Sequence, residues 1–228
     1  MTNIKIDLSL NLLRNCIELS DRRMIITGDR LIRMYSRDTY QEIKDIPSYD
    51  NNFDSVITPD ERTLYISTSM GLKQYSVPDI SLIKVHQPSS DGYCLNLLKS
   101  LNQIIFVDDN KLLSLHLDTS HVTHFNDKHN DFIISIASTS DEKVLFTTGL
   151  DKTLKKWNVQ SGNVTASVEI ESEGCYLFAD KYSKSIFLGL ENGSLLEYSI
   201  EDLSLIRSAS LHKDRITQIT RLSSGDLM

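Results

Sequence analysis

Short apolar runs separated by polar turns fill the chain, and their lengths and spacing predict strands. The clearest stretch spans 129–162, HNDFIISIASTSDEKVLFTTGLDKTLKKWNVQSG. Residues 132–137 are an Ile-rich run suited to a strand buried on both faces. Residues 138–142 are polar and carry an Asp, the composition of a tight turn. Residues 144–148 form a second β-prone run, 149–153 a second turn, and 154–159 a third run holding the only tryptophan, Trp157. Beyond Ser161 and Gly162, residues 164–170 alternate as an outer, half-exposed strand. Four short strands joined by tight turns predict one small antiparallel sheet. Such a sheet cannot bury both its faces alone and needs copies stacked on either side.

The copies are present. Tyr35, Tyr75, His116, Trp157 and Tyr198 close the apolar runs LIRMY, GLKQY, LLSLH, TLKKW and SLLEY, at separations of 40, 41, 41 and 41 residues. A second landmark keeps the same period: an acid opens the units after the first, at Asp50, Asp91, Asp131, Glu173 and Asp214, separated by 41, 40, 42 and 41. The turn position six residues before the first landmark holds Asp29, Ser69, Asn110, Asp151 and Asn192. The register divides the chain into units at about 11–46, 47–87, 88–128, 129–170 and 171–211, with a sixth begun at 212–228. Residues 3–10 alternate as a leading strand. The stretches 10–19 and 93–106 also carry apolar residues at helix-like spacing, and only the repeat register assigns them to strands.

On these residues the unit at 129–170 resembles the WD-repeat β-propeller family. The resemblance implies that His129, Thr147 or Thr148, Asp151 and Trp157 form a hydrogen-bonded set within one blade. A buried imidazole and a buried indole N–H each need a partner, and a turn carboxylate can orient the histidine. The other units depart from the family pattern, and glycine is sparse. The expected fold is all-β, a propeller of four-stranded antiparallel blades, five complete and a sixth begun. Seven blades are usual in the family, so the chain reads as a truncated propeller whose open edges invite self-association.

Composition narrows the function. A net charge of −7 over 228 residues argues against a general basic field for nucleic acid. Lys152, Lys155 and Lys156 are the nearest to a basic cluster and read as a solvated strand face. Cys16, Cys94 and Cys175 lie in the first strands of units one, three and five and read as small buried hydrophobes in a reducing compartment. No apolar run is long enough for a helical membrane span, and no signal pattern opens the chain, which points to the cytoplasm or nucleus. His116, His121, His124 and His129 fall within fourteen residues, but the register scatters them over the blade, so no metal and no cofactor is expected. No phosphate loop, nucleophile elbow, CxxC pair or HExxH motif occurs.

The opening acids Asp50, Asp91, Asp131, Glu173 and Asp214 are the candidate partner-binding rim, suited to a basic peptide or protein surface. Each acid also serves its own turn. The expected function is therefore a non-catalytic protein-interaction scaffold. The alternatives are a propeller enzyme of the lactonase or hydrolase type with a channel site, and a phosphoinositide-binding propeller. The paired arginines expected of the latter in a late blade have no counterpart, since Arg22 and Arg23 lie in the first hairpin turn.

Overall fold

The structure, a computed structural model, describes residues 13–48, 50–86, 92–180, 182, 184–222 and 224. Among them there is no helix; the strands form five four-stranded antiparallel sheets. The first sheet holds β1 (Leu13–Glu18), β2 (Arg23–Gly28), β3 (Leu31–Ser36) and β4 (Glu42–Pro47). The second holds β5 (Asn52–Ile57), β6 (Thr63–Thr68), β7 (Gly71–Ser76) and β8 (Ser81–His86). The third holds β9 (Leu95–Leu98), β10 (Gln103–Asp108), β11 (Lys111–His116) and β12 (Val122–Lys128). The fourth holds β13 (Ile133–Ser138), β14 (Val144–Gly149), β15 (Thr153–Asn158) and β16 (Asn163–Glu169). The fifth holds β17 (Gly174–Asp180), β18 (Ser185–Leu190), β19 (Ser194–Ser199) and β20 (Leu205–Ser210). The stretches with helix-like spacing are strands where described, in β1, β9 and β10. The leading strand expected at 3–10 lies outside the described residues, as does Asp91.

One register recurs through the sheets. Tyr35, Tyr75, Trp157 and Tyr198 each occupy the fifth place of a third strand, opposite Met24, Leu64, Leu145 and Ile186. A bulge falls immediately before each of them in the pairing with the fourth strand. In the third sheet that place belongs to Leu115, opposite Ile104, and His116 stands one residue further on. The landmark at His116 is therefore corrected to Leu115, and the turn position moves from Asn110 to Asp109. Leu115 is fully buried and His116 only partly so, because a completely buried core place selects the apolar side chain.

The scarcity of glycine has a counterpart in the turns. Each of the three hairpins of every unit holds a residue at positive φ, and most of these are not glycine. The first-hairpin positions are Arg22, Glu61, Asn102, Glu142 and Lys184, and the third-hairpin positions are Tyr40, Ile80, Ser120, Gly162 and Leu203. The fold thus tolerates a recurring conformational cost of roughly 1 kcal/mol at each such non-glycine turn.

The chain divides into two compact units, residues 1–99 and 100–228. In the first, β1 and β2 pack against β5, and β5 packs against β9. Its core joins Ile25, Ile32 and Met34 to Leu64, Ile66 and Tyr75. In the second, β13 and β14 pack against β17, and the core joins Phe146 and Leu154 to Ile186, Leu188 and Leu190. Each of these buried side chains stabilises the fold by roughly 1.5–3 kcal/mol relative to exposure. Stacking through the first strands leaves the fourth strands outside: β4 and β8 are exposed along nearly all their length, and β20 throughout.

Two expectations need correction here. Cys16 is exposed and Cys175 only partly buried, so of the three free thiols only Cys94 is a core residue. The three do not share one strand position, and pleat alternation turns Cys16 outward while Ile17 faces the core. The sixth unit, moreover, forms no strand in 212–222 beyond an isolated bridge at Arg221. A first strand takes its ladder from the second strand of its own sheet, and none faces these residues among the described ones. The connection is nonetheless repeated: Ile216 N–H donates to the Leu190 carbonyl at 3.1 Å, as Ile133 N–H does to Asp109 at 2.9 Å.

Candidate functional site

The residues singled out in the fourth sheet come together. His129 lies before β13, Thr147 in β14, Asp151 in the turn after β14, and Trp157 in β15. His129, Thr147 and Trp157 are fully buried, and the Asp151 side chain is 3% exposed. The indole N–H of Trp157 donates to Thr147 Oγ1 at 2.7 Å, and Thr147 Oγ1 lies 2.6 Å from His129 Nε2. His129 Nδ1 lies 2.9 Å from Asp151 Oδ2. An ionised carboxylate only accepts, so the imidazole proton sits on Nδ1 and Nε2 accepts from the threonine hydroxyl.

Asp151 also accepts from the Asn130 N–H at 2.9 Å and the Thr153 hydroxyl at 2.7 Å. Thr148 takes a different part, donating to the Thr153 carbonyl at 3.0 Å. The electrostatics agree with this network. Burial lowers the basicity of His129 and outweighs the pull of Asp151 in the other direction. Burial alone would raise Asp151, but the Asn130 N–H, His129 and Thr153 hold it below the ordinary carboxylate range. The set is therefore a neutral imidazole and a carboxylate, each fully bonded inside the sheet.

Among the described residues, the other sheets lack this set. The strand place of Thr147 is taken by Ile26, Ile66, Phe106 and Leu188, and that of His129 by Ser48 and Ile170 in the units before β5 and β17. A backbone link remains in common: Ser48, His129, Ile170 and Leu211 each donate an N–H to the preceding second-hairpin turn, at Arg30, Asn110, Lys152 and Gly193.

The opening acids are not equivalent. Asp50 is ion-paired with Lys73, both side chains about one-sixth exposed, and is thus neutralised within the first unit. That corrects its place in an acidic rim, because a partly buried carboxylate with a cation in contact gives little field outside. Asp131 is exposed, and its carboxylate accepts the Phe132 N–H at 2.8 Å. Glu173 is half-buried and Asp214 exposed, and Glu173 precedes its strand by one residue where Asp50 and Asp131 precede theirs by two. Of the paired arginines, Arg22 bonds Asp38 and Arg23 bonds Asp21. Lys155 donates to the carbonyl of Lys128 at the end of β12 at 2.7 Å, and Lys156 to that of Glu201 in a turn at 2.5 Å, so both are held against neighbouring backbone. Among the described residues no group of three or more His, Cys, Asp or Glu side chains is placed to hold a metal ion.

Two features were invisible in the sequence. One is a polar brace between first strands. Asn15 Nδ2 donates to the Ser55 carbonyl at 2.8 Å, Asp54 accepts the Leu95 N–H at 2.9 Å, and Ser135 accepts the Leu177 N–H at 3.0 Å. Asp54 is the extreme case: burial raises it to about 6, against the opposing bonds from Leu95 and Ser55. The other is a cleft of about 730 Å³ between the third and fourth sheets. Gln103, Ser114, Thr123, His124 and Phe125 line one side, and Asp141, Glu142, Asn158 and Gln160 the other. Its residues come from points far apart in the chain, so no local motif announces it. The Phe125 ring meets Trp157 edge-on at 5.8 Å, placing the cleft directly beside the buried set. No protein-family model matches the chain, and neither does any curated protein.

Proposed function

We propose that the chain is a non-catalytic protein-interaction scaffold, a divergent propeller of the WD-repeat kind working in the cytoplasm or nucleus. The observation that carries this reading is the closure of the His129 set. Both imidazole nitrogens are bonded within the sheet and none of the ring is exposed. Such a group braces strands and cannot reach a substrate proton. What the fold offers to the outside is a repeated sheet whose turns vary from copy to copy, and repeated sheets with variable turns suit the binding of other proteins.

The exposed acids Asp131 and Asp214, with Glu173, favour a basic partner surface. The experiment is in-cell cross-linking with mass spectrometry to identify a partner, followed by reconstitution with the purified chain. Against that partner, a variant carrying Asp131→Asn, Glu173→Gln and Asp214→Asn should bind more weakly and with a shallower salt dependence, at unchanged thermal stability. Unaltered binding rejects the acids as the contact. The lack of any saturable protein partner rejects the scaffold.

A further inference from the structure

We propose that the cleft between the third and fourth sheets binds an extended basic peptide as an added strand on the edge of β12. This rests on the scaffold reading and gives it a location and a ligand class. Three observations carry it.

First, β12 is the edge strand of its sheet and carries a row of exposed residues, Thr123 and His124 among them. An unpaired strand edge is a template for another chain, because its outward N–H and C=O groups await partners. Second, that edge already accepts a neighbouring backbone. Asn126 N–H donates to the Gly162 carbonyl at 2.8 Å, and the Asn126 side chain donates to the Ser161 carbonyl at 2.9 Å. The turn at Ser161 and Gly162 thus seats the far half of β12, and a peptide in the cleft would continue the ladder along Thr123, His124 and Phe125. Third, the space and chemistry fit. Three residues of strand occupy about 10 Å, and about 730 Å³ lies within the range of a built ligand site. Phe125 and Val159 offer apolar contact, and Gln103, Asn158 and Gln160 offer amide groups.

The basic character follows from the walls. Asp141 and Glu142 stand on the cleft beside the Lys143 ammonium, and Glu142 accepts the Ser100 N–H and hydroxyl at 2.7 and 2.5 Å, which leaves Asp141 as the acid that faces a ligand. Asp141 is exposed, is held as the anion by the Thr139 hydroxyl at 2.6 Å and the Lys143 N–H at 3.2 Å, and makes no ion pair among the described residues. The chain as a whole carries −7. A peptide alternating small apolar and cationic side chains would set one kind on Phe125 and the other toward Asp141.

The test uses the full 228-residue chain and a fluorescein-labelled octapeptide of alternating valine and lysine, acetylated and amidated, read by fluorescence anisotropy. The expected result is saturable binding, about tenfold weaker when glutamate replaces lysine and lost when the four central amides are N-methylated. Asp141→Lys should weaken the lysine peptide about fivefold or more and tighten the glutamate peptide. Equal binding of the N-methylated peptide overturns strand addition. Indifference to Asp141→Lys, with loss of binding in the Asp131→Asn, Glu173→Gln, Asp214→Asn variant, moves the peptide to the opening acids; it overturns the cleft while upholding the scaffold. No binding of either peptide overturns the cleft, and the scaffold then stands or falls on its own cross-linked partner.

Discussion

Replacing Thr147 by valine removes one hydroxyl and nearly nothing else, since the two side chains are close in shape. The hydroxyl is bonded twice, to the Trp157 indole at 2.7 Å and to His129 Nε2 at 2.6 Å. Both partners are fully buried, so neither can turn to water. Leaving a buried polar group unsatisfied costs about 1–3 kcal/mol, and two such groups give about 2–6 kcal/mol. That is a large part of the ~5–15 kcal/mol that holds a typical domain together. Trp157 is the only tryptophan, so its fluorescence during urea unfolding reports on this sheet directly. The internal control is Thr148→Val, which removes a single bond to the Thr153 carbonyl and should cost about 1 kcal/mol. Were Thr147→Val to unfold within about 0.5 kcal/mol of the unaltered chain, the hydrogen-bonded set would not be bracing the sheet, and the reasoning from buried polar groups would fail.

Further tests address other links. His129 is held neutral by burial, so the unfolded chain binds the extra proton first as the solution is acidified. Stability of the second unit should therefore fall as pH drops below about 6.5, the ordinary histidine value, and ring NMR shifts should place the titration of His129 below that value. Asp54 behaves oppositely: its folded value of about 6 lies above the ordinary 3.8, so its contribution is favourable at low pH and is lost as pH rises through about 6. The stability of Asp54→Asn relative to the unaltered chain should accordingly rise between pH 4 and 6 and level off above, by about 3 kcal/mol in total. Urea titrations across that range would show it; a flat difference would contradict the buried carboxylate. Gly149→Ala should cost at least about 2 kcal/mol, because a Cβ there would sit 2.0 Å from the Phe132 carbonyl oxygen. Ser120→Gly, at an exposed turn with φ of 54°, should leave stability unchanged or raise it by about 0.5 kcal/mol.

The sheets were legible because their signal is local and repeated. Period-two alternation, turn residues and a 41-residue register each point to the same strands, and agreement between levels is what makes a pattern trustworthy. The His129 set was legible for a related reason: all four residues fall within one unit, and each needs the others once buried. The slip at His116 has a plain physical origin. The third sheet puts an aliphatic residue, Leu115, at the place that is aromatic in the other four, and the neighbouring ring drew the register one residue too far. Asp50 stands apart from the exposed opening acids, and nothing in a sequence distinguishes a free carboxylate from one paired with a lysine 23 residues away, as Asp50 is with Lys73. The cleft and the brace at Asp54 were hidden for the same reason, since both join residues that meet only after the sheets stack.

The repeat itself is best tested by residue-resolved amide hydrogen exchange. In each unit of about 41 residues, three strands should exchange slowly and the fourth, exposed strand faster. Trp157 and Thr147 should rank with the slowest. Protection that is continuous over helix-length segments, or that shows no recurrence at this period, would contradict a chain built from copies of one small sheet.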